Sequence, residues 1–181
     1  DEVLVVFNPL GTPPNTAIQK YLNSKKVPQL FVATGATKWN DPKNFPWTMG
    51  WQPNYQSETI IYAKYILKNF PNAKIGILYQ NDDFGRDFLA PFKKVLADAG
   101  GTAKVIMEQS YDLTEPTVDS QLINLSKSGA DVFYNISTGK ASSQSIRKVA
   151  ELGWKPLHLL SAGSTGRSIL SAAGLENCTG I

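Results

Sequence analysis

The chain has 181 residues, 42% of them apolar and 18% charged, with a net charge of +3 at neutral pH. That composition excludes a disordered or low-complexity chain. The lysines and arginines are scattered, doubled only at Lys25-Lys26 and Lys93-Lys94, and form no basic stripe of the kind that nucleic acid demands. No apolar run approaches the roughly 18 residues of a membrane span. The single cysteine, Cys178, allows neither an internal disulfide nor a multi-cysteine metal cluster.

The chain opens on DEVLVVF, which reads as a strand over residues 3–7 with no initiator Met and no signal sequence before it, as at a cut end. A helix is expected over about residues 14–24, then a strand, LFVA, over 30–33. The segment 39–55 is rich in Trp, Pro and Asn and reads as a crossover between lobes. Two strands and one helix cannot cover both faces of a sheet. The strands VLVVF and LFVA would therefore have bare edges that invite self-association.

From residue 55 the pattern is regular. A helix over 56–69 stops before Pro71, and KIGILY at 74–79 is a short apolar strand. Phe84, Phe88, Phe92, Val95, Leu96 and Ala99 recur at helical spacing until Gly100-Gly101. A strand at 103–108, a helix at 117–128, a strand at 131–136, a helix at 141–152 and a strand at 157–161 complete the series. Strands separated by helices of this length must be parallel, joined by right-handed crossovers, with helices on both faces. The fold class is a doubly wound α/β lobe over 55–181, with part of a second lobe and a crossover in 1–54.

In such sheets ligands bind beyond the carboxyl ends of the strands. The loops there, 8–12, 34–37, 80–85, 110–112, 137–140 and 161–165, are dominated by small hydroxyl residues, Gly and Asn. That inventory suits hydrogen bonding rather than acid/base or metal chemistry. The stretch YNISTGKASS at 134–143 fails as a phosphate loop, because Tyr134 stands where the first glycine is needed and Ala141 where a hydroxyl must follow the lysine. It remains a small polar loop before a helix, suited to a polar or anionic group.

Enzymatic readings are poor. The one histidine, His158, lies between leucines in a strand and reads as packed. The A-G-S-T-G around Ser164 is no nucleophile elbow. Asp82-Asp83 fits an acidic pair at a helix N-terminus better than a Mg²⁺ pocket, and Cys178 reads as inert. Trp39, Trp47 and Trp51 are either stacking platforms lining a cleft or inter-lobe core. Asn124, Asn135 and Asn177 match the glycosylation sequon, a weak signal, and Asn135 ends a strand that looks buried.

The segments VPQLFVATGATKW, FPWTMGWQPNYQSETIIYAKYILKNFPNAKIGILYQNDDFGRDF, FKKVLADAGG and SKSGADVFYNISTGKASSQSIRKVAELGW carry a resemblance. They are similar, in order and over essentially the whole chain, to the periplasmic solute-binding proteins of ABC importers, in the leucine/isoleucine/valine-binding branch. The resemblance implies a non-catalytic, two-lobed receptor of which this chain is a fragment. It implies a small-molecule carboxylate held between the lobes, an ABC permease as membrane partner, no cofactor, and a periplasmic or lipid-anchored extracytoplasmic location. The sensor ectodomains and regulatory modules that share the fold are the alternative.

By the same resemblance, Gly35, Ala36 and Thr37 hold the carboxylate through backbone N–H and hydroxyl, Gly11 and Thr12 match an earlier serine-rich loop, and Phe84 matches an aromatic over the ligand. Ser137, Thr138 and Gly139 fall near a second such contact, and Gly163 lies in the loop where amino-acid binders carry an acidic residue for the ligand's ammonium. Here that loop reads Ser161-Ala162-Gly163-Ser164. A buried ammonium without a counter-charge costs several kcal/mol. The expected ligand is therefore an aromatic or branched organic acid, unless Asp82 or Asp83 supplies the charge.

Overall fold

The computed structural model describes residues 2–181. Its contacts divide the chain into two compact units, one running to Glu58 and one from Thr59 to Ile181.

The first unit holds a three-stranded parallel sheet in the order β1-β2-β3. Strand β1 is Val6–Phe7, helix α1 is Thr12–Ser24, β2 is Gln29–Val32 and β3 is Thr48–Gly50. Three sequence expectations change here. The strand expected over residues 3–7 is cut to two residues, because only Val6 and Phe7 find partners, at Gln29 and Leu30, while Val3 and Leu4 stand exposed. Helix α1 begins at Thr12, since its prolines occupy the first turn, where a missing N–H costs nothing. The tryptophan-rich segment supplies β3, so LFVA is the middle strand and has no bare edge. Thr48-Met49-Gly50 escapes detection because three residues without alternation carry no strand signal.

The second unit has a four-stranded parallel sheet in the order β5-β4-β6-β7. Helix α2 (Tyr55–Asn69) leads into β4 (Lys74–Gln80), α3 (Asp83–Asp98), β5 (Lys104–Tyr111) and α4 (Asp119–Lys127). Strand β6 (Val132–Ile136), α5 (Gly139–Glu151), β7 (Leu157–Leu160) and a short α6 (Arg167–Ala173) follow. The alternation read from sequence is present. Strand β5 runs three residues beyond expectation, into the polar Gln109-Ser110-Tyr111, because its ladder with β4 continues to the pair Gln80 and Tyr111. Helix α6 was not expected; its seven residues are too few for a periodic pattern.

Strand β6 is buried at every position, as a central strand covered on both faces must be. Leu78, Leu122, Leu125, Phe133 and Val149 fill one side. Tyr134 projects to the other, with its ring 4.9 Å from Phe92 and 5.5 Å from Tyr62, and its hydroxyl 3.1 Å from that of Thr59.

Because all four strands are parallel, Gln80, Tyr111, Ser137 and Ser161 emerge at one end of the sheet. Gly85 keeps that end tight: a Cβ there would fall on the carbonyl of Gln80. The first turn of α3 thus packs directly on the last residue of β4. Gly85→Ala is expected to cost about 1–3 kcal/mol or more of stability by overpacking, measurable as a lowered midpoint in urea denaturation.

Candidate functional site

In the first unit the polar residues converge on Thr34. Its buried hydroxyl oxygen accepts hydrogen bonds from the Ala36 N–H (3.2 Å), the Trp39 indole Nε1–H (3.2 Å) and the Tyr55 hydroxyl (3.1 Å). A hydroxyl has two lone pairs and one hydrogen. With the acceptor side crowded, Thr34's own hydrogen is directed to the Thr12 hydroxyl, 2.6 Å away.

Around this hub lies a cavity of about 420 Å³ lined by Thr34, Gly35, Ala36, Thr37, Trp39 and Trp51, among others. Trp39 is both core and wall: it is buried with Val32, Ala36 and Tyr55, while Trp51 stands 63% exposed. Gly35 is sterically required, since a Cβ would collide with the Pro53 carbonyl and the Tyr55 ring.

The expected site residues of this unit divide accordingly. Gly35, Ala36 and Thr37 line the cavity, and Gly11 and Thr12 stand at the start of α1. The Ala36 N–H, which the resemblance assigns to the ligand, is already donated to Thr34. The Thr37 hydroxyl accepts from Gln56 Nε2 at 3.2 Å.

The second unit carries a longer network. Asp82 caps α3, its Oδ1 accepting the N–H groups of Phe84 (2.9 Å) and Gly85 (3.3 Å) while Oδ2 accepts from Gln80 Nε2. This matches the helix N-terminal reading of the acidic pair. Gln80 Oε1 accepts from the Tyr111 hydroxyl (3.0 Å) and the Thr138 hydroxyl (2.6 Å), and the Thr138 N–H donates back to the Tyr111 oxygen (3.0 Å). Burial pushes the Tyr111 phenol up to about 12, so it remains a proton donor throughout the physiological range.

Beyond it lies a row of buried hydroxyls. Ser137 donates to Asn135 Oδ1 at 2.5 Å; Ser142 donates to Ser164, which donates to the Ser137 carbonyl at 2.6 Å. Asn135 Nδ2 donates to Ser145 Oγ (2.7 Å) and to His158 Nε2 (3.2 Å). His158 is 6% exposed, and burial lowers its pKa to about 3. It is a neutral acceptor fixed in the sheet. The fully buried Asn135 is likewise a structural residue, whatever its sequon.

Of the expected residues here, Ser137, which the resemblance places near a ligand contact, is buried and turns its hydroxyl into the protein. Thr138 is half-buried and Gly139 and Gly163 are exposed. Phe84 is buried with its ring 5.1 Å from Phe88. Sequence reasoning did not single out Thr34, Gln80 or Tyr111. The available signal was a polar residue closing an apolar strand, as Gln80 closes KIGILYQ. Among the described residues no group of three or more His, Cys, Asp or Glu side chains is placed to hold a metal, and no helix is long and apolar enough to cross a membrane.

The sequence matches the periplasmic binding protein family over residues 1–181. The chain belongs to that family. No curated protein matches it significantly. Among solved structures it is similar to a substrate-binding periplasmic protein of Ralstonia solanacearum, with a TM-score of 0.85 at 19% identity, covering 96% of this chain and 48% of that one. A possible leucine/isoleucine/valine-binding protein of Rhodopirellula baltica gives 0.83 at 20% identity, covering 99% and 48%. A branched-chain amino acid ABC transporter protein of Thermus thermophilus with bound valine gives 0.78 at 17% identity, covering 93% and 44%. At these identities the likeness establishes the type I periplasmic binding protein fold, of which the chain spans about half.

Two outcomes are expected from these environments. His158 binds a proton in the unfolded chain near pH 6.5 but in the folded one only near 3, so stability falls as pH drops through that window, by on the order of 1.4 kcal/mol per pH unit. Urea denaturation at pH 7 and pH 4 should reveal this slope, flattened in His158→Gln. Thr34→Val strands the Ala36 and Trp39 N–H groups and is expected to cost about 2 kcal/mol or more, with Thr34→Ser milder, in the same measurement.

Proposed function

We propose that the full-length protein is the non-catalytic solute-binding component of an ABC importer, acting on the outer side of the cytoplasmic membrane. Its ligand is a small carboxylate without an ammonium group, an aromatic or branched organic acid. The carboxylate is taken by the first unit at the cavity-lining turn Gly35-Ala36-Thr37, beside the Thr34 hub, while Thr12 is buried with its hydroxyl engaged to Thr34. The Trp39 and Trp51 walls of the same cavity supply apolar contact.

The observation that carries the ligand class is the turn 161–164. Ser161 and Ser164 are buried and donate to the Ser137 carbonyl, and the exposed positions between them are Ala162 and Gly163. That turn offers an ammonium no counter-charge. Of the two alternative sources, Asp82 has its carboxylate committed to two backbone N–H groups and Gln80, and Asp83 stands in the first turn of α3, where the helix dipole favours its charge. An ammonium buried against neutral hydroxyls would lose several kcal/mol.

Calorimetry on the full-length protein with leucine and with benzoate tests the assignment: benzoate-type acids should bind and leucine should not. Tight leucine binding overturns it. In the same assay Thr37→Ala is expected to weaken acid binding by about 1–3 kcal/mol, the loss of a charge-assisted hydrogen bond.

A further inference from the structure

We propose that the cavity between the end of α5, strand β7 and the turn Leu175–Cys178 is a second small-molecule site, in which the His158 Nδ1–H donates to a neutral carbonyl oxygen. It lies wholly in the second unit and is independent of the carboxylate cavity in the first.

Hydrogen-bond direction places the proton. Ser145 spends its one hydrogen on the Ser142 carbonyl (2.9 Å), so its oxygen accepts, and the Asn135 group 2.7 Å from it is the NH₂. The same NH₂ lies 3.2 Å from His158 Nε2, which therefore offers a lone pair. Burial keeps the ring neutral, so its single N–H is at Nδ1. Among the described residues the bond to Asn135 is the only one His158 makes through its side chain. Only Gln19 Nε2, among those residues, is both sealed from solvent and unpartnered. The Nδ1–H is thus unpartnered but not sealed, and it opens on the cavity that His158 lines.

His158 is 6% exposed, so this N–H meets little bulk water, and leaving it unmatched is costly. The cavity measures about 380 Å³, well above the roughly 30 Å³ that one water occupies in the liquid. Val149, Trp154 and Pro156 give it apolar wall. The Trp154 indole N–H is spent on the Ala130 carbonyl (3.1 Å), and Asn177 Nδ2 on that of Ala173 (2.8 Å). His158 is left as the buried donor. The charges at the rim, Lys155 and Glu176, are opposite and both exposed, so they favour neither sign of ligand. One neutral donor beside apolar wall suits a ketone or amide oxygen, whereas a carboxylate would lose more hydration there than a single bond returns.

Nitrogen NMR of the full-length protein, with the His158 signals assigned by their loss in His158→Gln, should show a protonated Nδ1 and an unprotonated Nε2. Cyclohexanone should shift the Nδ1–H resonance saturably in the millimolar range. It should bind about tenfold more tightly than methylenecyclohexane, which has its shape without the oxygen, and more tightly than cyclohexanecarboxylate. Ala150→Phe, at an exposed position on the cavity wall, should block the ketone and leave the tautomer unchanged. A ring protonated at Nε2 overturns the proposal before any ligand is added. Equal binding of ketone and hydrocarbon overturns the donor role, and tighter binding of the carboxylate overturns the neutral ligand. Absence of any saturable shift overturns the site itself, and none of these outcomes depends on what the first unit binds.

Discussion

A buried hydroxyl or amide has a fixed number of hydrogens and lone pairs, and each one left unmatched away from water costs about 1–3 kcal/mol. This constraint governs the carboxyl ends of the strands in both units. In the first, four groups share the Thr34 hydroxyl, and the excess of donors leaves one direction for its own hydrogen. In the second, the capping carboxylate of Asp82 sets the Gln80 amide, which sets Tyr111 and Thr138 in turn. The loops at these ends are therefore held by hydrogen-bond direction as well as by packing.

The same accounting separates polar groups spent within the fold from those that are not. Serines are abundant near the strand ends, yet Ser137, Ser142, Ser145, Ser161 and Ser164 are all buried, and their hydroxyls are spent on one another, on Asn135 and on backbone carbonyls. Burial also removes the titratable candidates from chemistry near neutral pH, since His158 stays neutral and Tyr111 stays protonated. In the first unit Gly35 and Thr37 line a cavity walled by the Trp39 and Trp51 indoles.

Rigidity beneath these loops comes from apolar packing. Tyr134 sits among Tyr62, Phe88 and Phe92 on one face of β6, and Phe133 stacks toward Trp154 and His158 on the other. Because β6 lies between β4 and β7, this aromatic layer fixes the strand from which Thr138 departs. Gly85 brings α3 down onto Gln80 at the same end. Positioning residues placed on such elements hold their orientation better than residues on free loops.

The sequence by itself determined the alternation of helix and strand from residue 55 onward and the parallel sheet, because apolar periodicity and punctuating glycines are local signals that survive in one dimension; the family came from the likeness of whole segments. It also marked the strand-end loops by their composition, and the resemblance marked 161–164 as a place where an acidic residue would be expected. Tertiary structure decided the rest. The strand Thr48–Gly50 exists through its pairing with β2, and the strand at Val6–Phe7 is short because its neighbours in sequence find no partners. Tertiary structure also decided which hydroxyls look inward. Ser137 and Thr138 are adjacent and chemically alike, but one bonds Asn135 within the unit and the other bonds Gln80 at its half-open end. The direction of a hydroxyl is set by partners 2 to 58 positions away along the chain, and no local pattern records them.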